Sequence, residues 1–290
     1  MRLSLWIGCG MFGIKSYAYL TTGSAAILSD AAESVVHVLA VAFATYSLWL
    51  VNKPADQEHH YGHTKISFIS AGFEGAMITI AAIFILFESI HKWINGIEIQ
   101  NLDTGLYLTI SALFINAALG SYLIVVGKRR DSLILRANGI HVLTDAWTSL
   151  GVAVGVALTW MTGWKPLDPI CAIVVALNIL YSGYKLSRES IEGLMDKADP
   201  KVDSTLIEIL DQAKAEFEIE YHGLKHLNTG EGHRIDFHLL FEDELSIQEA
   251  HQIATEIENR IKKTLGKKVQ ISSHLEPKKD HERIHDHSIT

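Results

Sequence analysis

Six long apolar stretches fill the first two-thirds of this 290-residue sequence and constrain its fold more than any other feature. They run roughly over residues 3–26, 29–51, 67–91, 104–127, 132–161 and 167–188. A helix needs about 20 residues to cross roughly 30 Å of bilayer hydrocarbon, so each stretch is long enough to span a membrane. The pattern predicts a multi-pass α-helical membrane domain with six transmembrane helices over residues 1–190.

The composition changes after residue 190, where charged residues become frequent. Residues 201–217 and 246–264 show the periodicity of amphipathic helices, and Ser246 with Glu249 matches a capping box. Strand patterns cover residues 221–229, 233–241 and 268–275. We therefore predict a soluble α+β domain of order αββαβ over residues 200–276. A charged, histidine-containing tail follows over residues 277–290, which we expect to be disordered.

The basic residues predict the orientation in the membrane. If the helices alternate, one side carries most of the lysines and arginines, namely Arg2, Lys53, Lys65, Lys128, Arg129, Arg130, Lys185, Arg188 and Lys197. Because cytoplasmic loops are enriched in basic residues, both termini and the soluble domain are expected in the cytoplasm, with the helices in the cell (inner) membrane. The net charge of -8 argues against nucleic acid as a partner.

Two pairs of ionisable residues interrupt the apolar stretches. Glu33 and His37 lie in the second stretch, and His141 and Asp145 lie in the fifth. Each pair is spaced i,i+4, which places both side chains on one helix face, and helix rise puts both pairs at a similar depth. Two imidazoles and two carboxylates suit tetrahedral Zn²⁺. Burial as mutually hydrogen-bonded polar groups is the alternative.

Three further charges fall within apolar stretches. Lys15 and Glu74 either pair with each other or lie near a transport pathway. Asp30, one turn before Glu33, suits either the outer mouth of that pathway or a capping position near Ser29.

A loop and the soluble domain offer other candidate metal ligands. Asp56, His59 and His63 fall within eight residues beside Gly62, and this pattern fits either a loop metal site or a solvated polar loop. In the soluble domain the candidates are His226, His238, His251, His274 and Glu276, and their alternative is ordinary surface histidines. The tail candidates, which fit either weak metal collection or a solvated end, are His281, His285, Asp286 and His287.

Several local motifs together resemble the cation diffusion facilitator family over essentially the whole chain. They are the Thr22-Gly23-Ser24 turn with the Ile27–Ala32 segment, the Tyr61-Gly62-His63-Thr64-Lys65 loop, the His141-x-x-x-Asp145 motif and the His274-Leu275-Glu276-Pro277 segment. One departure is that the second helix carries Glu33-x-x-x-His37, where the family usually has HxxxD or DxxxD. The donor count of two nitrogens and two oxygens is kept.

The resemblance implies a homodimer that exchanges cytoplasmic Zn²⁺, or a similar divalent ion, for protons. It implies a transport site at Glu33, His37, His141 and Asp145, and a loop site at Asp56, His59 and His63. It also implies a pair of bridged ions near the dimer contact, held by His226, His238, His251, His274 and Glu276. Lys65 and Asp196 occupy positions that resemble the family's charge interlock.

We therefore expect a divalent metal transporter in the lipid bilayer, moving Zn²⁺ first and Cd²⁺, Fe²⁺ or Mn²⁺ as other possibilities. A non-transporting metal receptor and an intramembrane metalloenzyme are the alternatives. The sequence contains no HExxH motif, and four filled ligand positions fit a carried ion better than a catalytic one with an open position, so we expect no enzyme.

Overall fold

The computed structural model describes residues 2–95, 101–129, 133–230, 232–266 and 268–279. It divides into two compact units, which we call the membrane unit (Met1–Asn52 with Ile69–Ser190) and the soluble unit (Lys53–Phe68 with Ile191–Thr290). Six long helices are followed by two helices and three strands in the order αββαβ, so the predicted fold class is confirmed.

The six long helices are α1 (Arg2–Thr22), α2 (Ala25–Val51), α3 (Ile66–Asn95), α4 (Leu102–Arg129), α5 (Leu133–Thr162) and α6 (Leu167–Leu194). Within the described residues, α2, α3, α6 and the Asp103–Val126 part of α4 are each long and apolar enough to cross a membrane. At about 1.5 Å per residue, the 27 residues of α2 extend about 40 Å, which exceeds the hydrocarbon thickness.

The turn between α1 and α2 is tight and fully capped. Gly23 takes a φ of 64°, a left-handed conformation that glycine adopts without a steric penalty. The Ser24 hydroxyl accepts a hydrogen bond from the Ile27 N–H and caps α2. Asp168 of α6 is 1% exposed and accepts hydrogen bonds from the Ser24 hydroxyl and from the Ala25 N–H, the latter at 2.6 Å. A buried carboxylate therefore satisfies the otherwise unpaired N–H groups at this helix start.

Small residues let the helices of the membrane unit approach closely. A Cβ atom added at Gly120 would lie 3.0 Å from the Gly139 carbonyl oxygen, so α4 and α5 are packed almost backbone to backbone. Close packing through small residues is typical of membrane helices, where lipid removes the hydrophobic drive for association. α2 packs on both α1 and α5, which brings the charged positions of these three helices together.

The soluble unit contains α7 (Pro200–Phe217), β1 (Glu220–Asn228), β2 (His233–Phe241), α8 (Ile247–Leu265) and β3 (Val269–Pro277). The sheet order is β1-β2-β3, with β1 antiparallel and β3 parallel to β2. The predicted capping box of Ser246 and Glu249 is confirmed at the start of α8. The core joins α7 and α8 to one face of the sheet through Leu206, Leu210, Ile235, Phe237, Leu239, Ile257 and Ile261.

A bulge in β1 changes which residues face that core. The register pairs His222 with His238 but Lys225 with Asp236, so one extra residue is inserted between them. Gly223, at φ 62°, supplies the left-handed conformation that this insertion requires. Beyond the bulge His226 pairs with Ile235, so it shares the face of the buried core residues and not the face of His238.

Candidate metal-binding sites

The membrane unit brings three of the four predicted transport ligands together. His37 Nδ1 of α2 lies 3.5 Å from Asp145 Oδ2 of α5, and both side chains are buried. Glu33, one turn before His37, accepts a 2.9 Å hydrogen bond from the Thr148 hydroxyl of α5. The backbone of α5 places His141 one turn before Asp145, and its side chain lies outside the described residues. We call Glu33, His37, His141 and Asp145 the transport group.

A cavity of about 200 Å³ adjoins the transport group. Its polar lining comprises Glu33, His37, Glu74, Asp145, Thr148, Asn178 and Ser182. Glu74 is thus part of the cavity wall, on α3. A dehydrated divalent ion fits easily in this volume, and the nitrogen and oxygen donors around it match the ligands that Zn²⁺ prefers.

Lys15 and Asp30 pair with each other, which was not among the alternatives predicted from the sequence. The Lys15 ammonium donates a 2.8 Å hydrogen bond to Asp30 Oδ1, and both side chains are buried. Ser24, not Asp30, caps α2. The sequence suggested Glu74 as a partner for Lys15 because it could not show which helices are neighbours.

The loop between α2 and α3 folds around the Asp56 carboxylate. Asp56 Oδ1 accepts hydrogen bonds from the backbone N–H groups of Glu58 and His59, at 3.1 and 2.8 Å. His59 Nδ1 lies 3.3 Å from Asp56 Oδ1, and His63 Nε2 lies 3.5 Å from Oδ2. Gly62, at φ 81°, makes the turn that returns His63 to the carboxylate. We call Asp56, His59 and His63 the loop group.

The loop group offers one ligand atom from each residue, and these atoms lie within 4.8 Å of one another. The Lys53 ammonium, followed by the His59 backbone N–H, holds the pKa of the Asp56 carboxyl well below its usual range. The carboxylate therefore stays ionised in mildly acidic solution. Two imidazoles and one ionised carboxylate fit a divalent metal with one open position.

Histidines from all three strands line up on the face of the sheet that α7 and α8 leave uncovered. The register pairs His222 with His238 and His238 with His274. Glu276 Oε2 lies 2.9 Å from His222 Nε2, and Glu276 Oε1 lies 2.7 Å from His238 Nδ1. His274 Nε2 is 3.5 Å from Glu276 Oε1. We call His222, His238, His274 and Glu276 the sheet group.

The sheet group lacks two residues of the predicted set, His226 and His251, and includes His222, which was not predicted. The bulge turns His226 away, and its Nε2 accepts a 3.0 Å hydrogen bond from the Asp199 N–H, so this nitrogen is already used. His251 lies on α8, which packs on the opposite face of the sheet, and it is exposed there. His222 takes the position expected for His226. The isolated glycine at position 223 was the sequence signal for the bulge.

The structure also bears on the predicted charge interlock and on the tail candidates. The Lys65 ammonium lies 2.8 Å from Asp196 Oδ1, and both side chains are about half exposed. An ion pair with this exposure contributes little to stability on its own. The tail candidates His281, His285, Asp286 and His287 lie outside the described residues.

Comparison with known proteins covers nearly the whole chain. Residues 1–195 match the family model described as the cation efflux transmembrane domain, and residues 204–278 match the cytoplasmic domain of cation efflux proteins. An uncharacterized transporter of Synechocystis sp. is 35% identical over 278 residues, covering 96% of this chain and 89% of the relative. Cation-efflux pumps named FieF, from Klebsiella pneumoniae and Escherichia fergusonii, are 30% identical over 253 residues, covering 86% of this chain and 82% of each relative.

Proposed function

This chain belongs to the cation efflux (cation diffusion facilitator) family of divalent metal transporters, which are not enzymes, and from that premise we propose that it exports Zn²⁺ in exchange for protons. The transport group binds the ion within the membrane unit. The observation that carries the proposal is the meeting of Glu33, His37 and Asp145 at the wall of one cavity. Two nitrogen and two oxygen donors, counting His141, favour Zn²⁺ over ions that prefer only oxygen ligands.

The cavity lining supports loading from the cytoplasm. Glu74 lies eight residues from the start of α3, and Leu186 lies eight residues from the end of α6, so each is about 12 Å from that helix end. His37 lies 14 residues, about 21 Å, from the end of α2 on the same side. The cavity therefore extends from the transport group towards the membrane face at the end of α2 and the start of α3, which the distribution of basic residues favours as the cytoplasmic face.

Proton exchange follows because the ligands must lose protons before they can bind a metal. An imidazole binds a metal only when its ligating nitrogen is unprotonated, and a carboxylate binds when ionised, so loading releases protons from a protonated site. Alternating access of a homodimer then carries metal outwards and protons inwards. The loop group and sheet group bind metal in a regulatory role, and the donor sets of both fit Zn²⁺.

Purified protein in proteoliposomes tests this proposal. Flux of zinc, cadmium, iron and manganese is measured in parallel with a pH-sensitive dye in the lumen. We expect zinc to move fastest, together with counter-movement of protons. Asp145→Asn is expected to lower zinc flux at least 100-fold, whereas Asp103→Asn, at an exposed position in the first turn of α4, leaves flux unchanged. Zinc binding without flux would contradict transport and favour a receptor.

A further inference from the structure

A buried polar triad joins α1, α2 and α5 beside the transport group. The Lys15 ammonium donates to Asp30 Oδ1 at 2.8 Å and to the Ser149 hydroxyl at 3.3 Å. The Ser149 hydroxyl donates to the same Asp30 oxygen at 2.6 Å. The three residues are 3%, 1% and 0% exposed. We call Lys15, Asp30 and Ser149 the buried triad.

The buried triad lies one helical turn from the residues that hold the metal. On α2, Asp30 precedes Glu33 by three residues, and on α5, Ser149 follows Asp145 by four. Residues at these spacings share a helix face, so the face of each helix that carries transport ligands also carries a triad member. The triad thus ties α2 to α5 beside the cavity that Glu33 and Asp145 both line.

The stability of the fold does not explain this arrangement. Burying an ammonium and a carboxylate is costly, and an apolar pair of the same volume is often as stable or more so. Asp30 Oδ2 is also buried without a hydrogen-bond partner among the described residues, which adds a further cost. Asp168 offers a contrast, because that buried carboxylate accepts backbone N–H groups that need a partner at the start of α2. The contacts within the buried triad are all between side chains.

We infer that Lys15 is a positioning residue for transport. By holding Asp30 and Ser149 together, Lys15 fixes the separation of Glu33 and Asp145. It thereby sets which ion the transport group accepts. The inference rests on the transport site proposed above. Outer residues that orient metal ligands commonly change metal affinity about 10- to 100-fold when they are replaced. Zinc and cadmium ions differ in radius. If the separation of α2 and α5 is less tightly fixed, the transport group therefore discriminates less well between the two ions.

Two variants, reconstituted in proteoliposomes, test the inference. Ser149→Ala removes the link to α5 and keeps the ion pair. Lys15→Met with Asp30→Asn replaces the ion pair by near-isosteric neutral side chains, and so avoids the unpaired buried carboxylate that could prevent a Lys15→Met single variant from folding. We expect both to raise the KM for zinc about 10-fold and to lower the ratio of zinc to cadmium transport at least about 5-fold. Lys15→Arg, which keeps the positive charge, is expected to retain most of the zinc-to-cadmium transport ratio of the unmodified protein.

Ser29→Ala is the matched control, because Ser29 is equally buried on α2 but its hydroxyl donates to its own helix, to the Ala26 carbonyl. It is expected to leave KM and ion preference unchanged. The inference is overturned if Ser149→Ala and the double variant fold, as judged by thermal melting, and keep the zinc KM and the zinc-to-cadmium ratio within twofold of the unmodified protein. A wrong transport site gives a different result, namely normal zinc flux in Asp145→Asn.

Discussion

The transport group and the sheet group use the same kinds of donor but hold them differently. In the sheet group the buried Glu276 carboxylate is 2.7 and 2.9 Å from two imidazoles and 3.5 Å from a third, and all of its members lie on one hydrogen-bonded sheet. In the transport group His37 and Asp145 are 3.5 Å apart at the wall of a cavity. A preorganised cluster suits an ion that stays, whereas looser donors on helices suit an ion that must leave. We therefore expect the sheet group to retain an ion and the transport group to pass one on.

Removing one carboxylate from each group tests this comparison most severely. We expect Asp145→Asn to lower zinc flux at least 100-fold, because an ionised ligand is lost from the transported ion. Glu276→Gln is expected to lower flux at saturating zinc less than about 5-fold, but to weaken zinc binding to the sheet group about 100-fold. Flux assays and calorimetry on the same preparations measure both effects. Equal loss of flux in the two variants would break the distinction.

The membership of the sheet group is tested by two histidines on the same strand. His222→Ala should weaken zinc binding to the soluble unit at least about 10-fold, since it removes a ligand. His226→Ala should leave that affinity unchanged and lower the stability of the unit by about 1 kcal/mol, since it removes the hydrogen bond to the Asp199 N–H. Calorimetry and thermal melting separate the two effects. A larger loss of affinity in His226→Ala would show that the bulge does not decide the ligand set.

A substitution in α6, at the carboxylate that caps the start of α2, separates the role of this cap from that of the transport group. Asp168→Ala removes the acceptor for the Ala25 N–H and the Ser24 hydroxyl and should destabilise the unit by about 1–2 kcal/mol. The KM for zinc should stay the same, because Asp168 is not among the residues lining the cavity. Thermal melting in detergent and flux assays provide the measurements. A raised KM with an unchanged melting temperature would contradict this division.

The smallest expected effect is a pH dependence confined to the soluble unit. Burial, followed by the nearby charge of His226, lowers the pKa of His233 from its ordinary value of 6.5. On acidification the unfolded chain therefore takes up this proton before the folded chain does, so stability falls as the pH drops below about 6.5. Between pH 7.5 and 5.5 we expect His233→Gln to lose about 1–2 °C less in melting temperature than the unmodified protein. An identical fall in melting temperature in the two proteins would contradict a contribution of His233 to the pH dependence of stability.

The sequence determined the features that depend on helix periodicity and on local capping. Six apolar stretches predicted six helices, and the i,i+4 spacing of Glu33 with His37 placed both side chains on one face of α2. The capping box at Ser246 and the turn at Gly23 follow from local chemistry, and both are present. Such patterns repeat within a few residues, so they can be read without knowing the neighbours of a helix.

Contacts between elements were decided only by the tertiary structure. The partner of Lys15 depends on which helices are adjacent, and apolar membrane helices of similar composition give no signal of adjacency. The choice of His222 over His226 depends on a bulge and on the pairing of His222 with His238, 16 residues further along the chain. Inserting a single residue reverses which face every later side chain occupies. Local spacing thus fixed which candidate ligands share a helix face, while packing and strand register decided which residues meet.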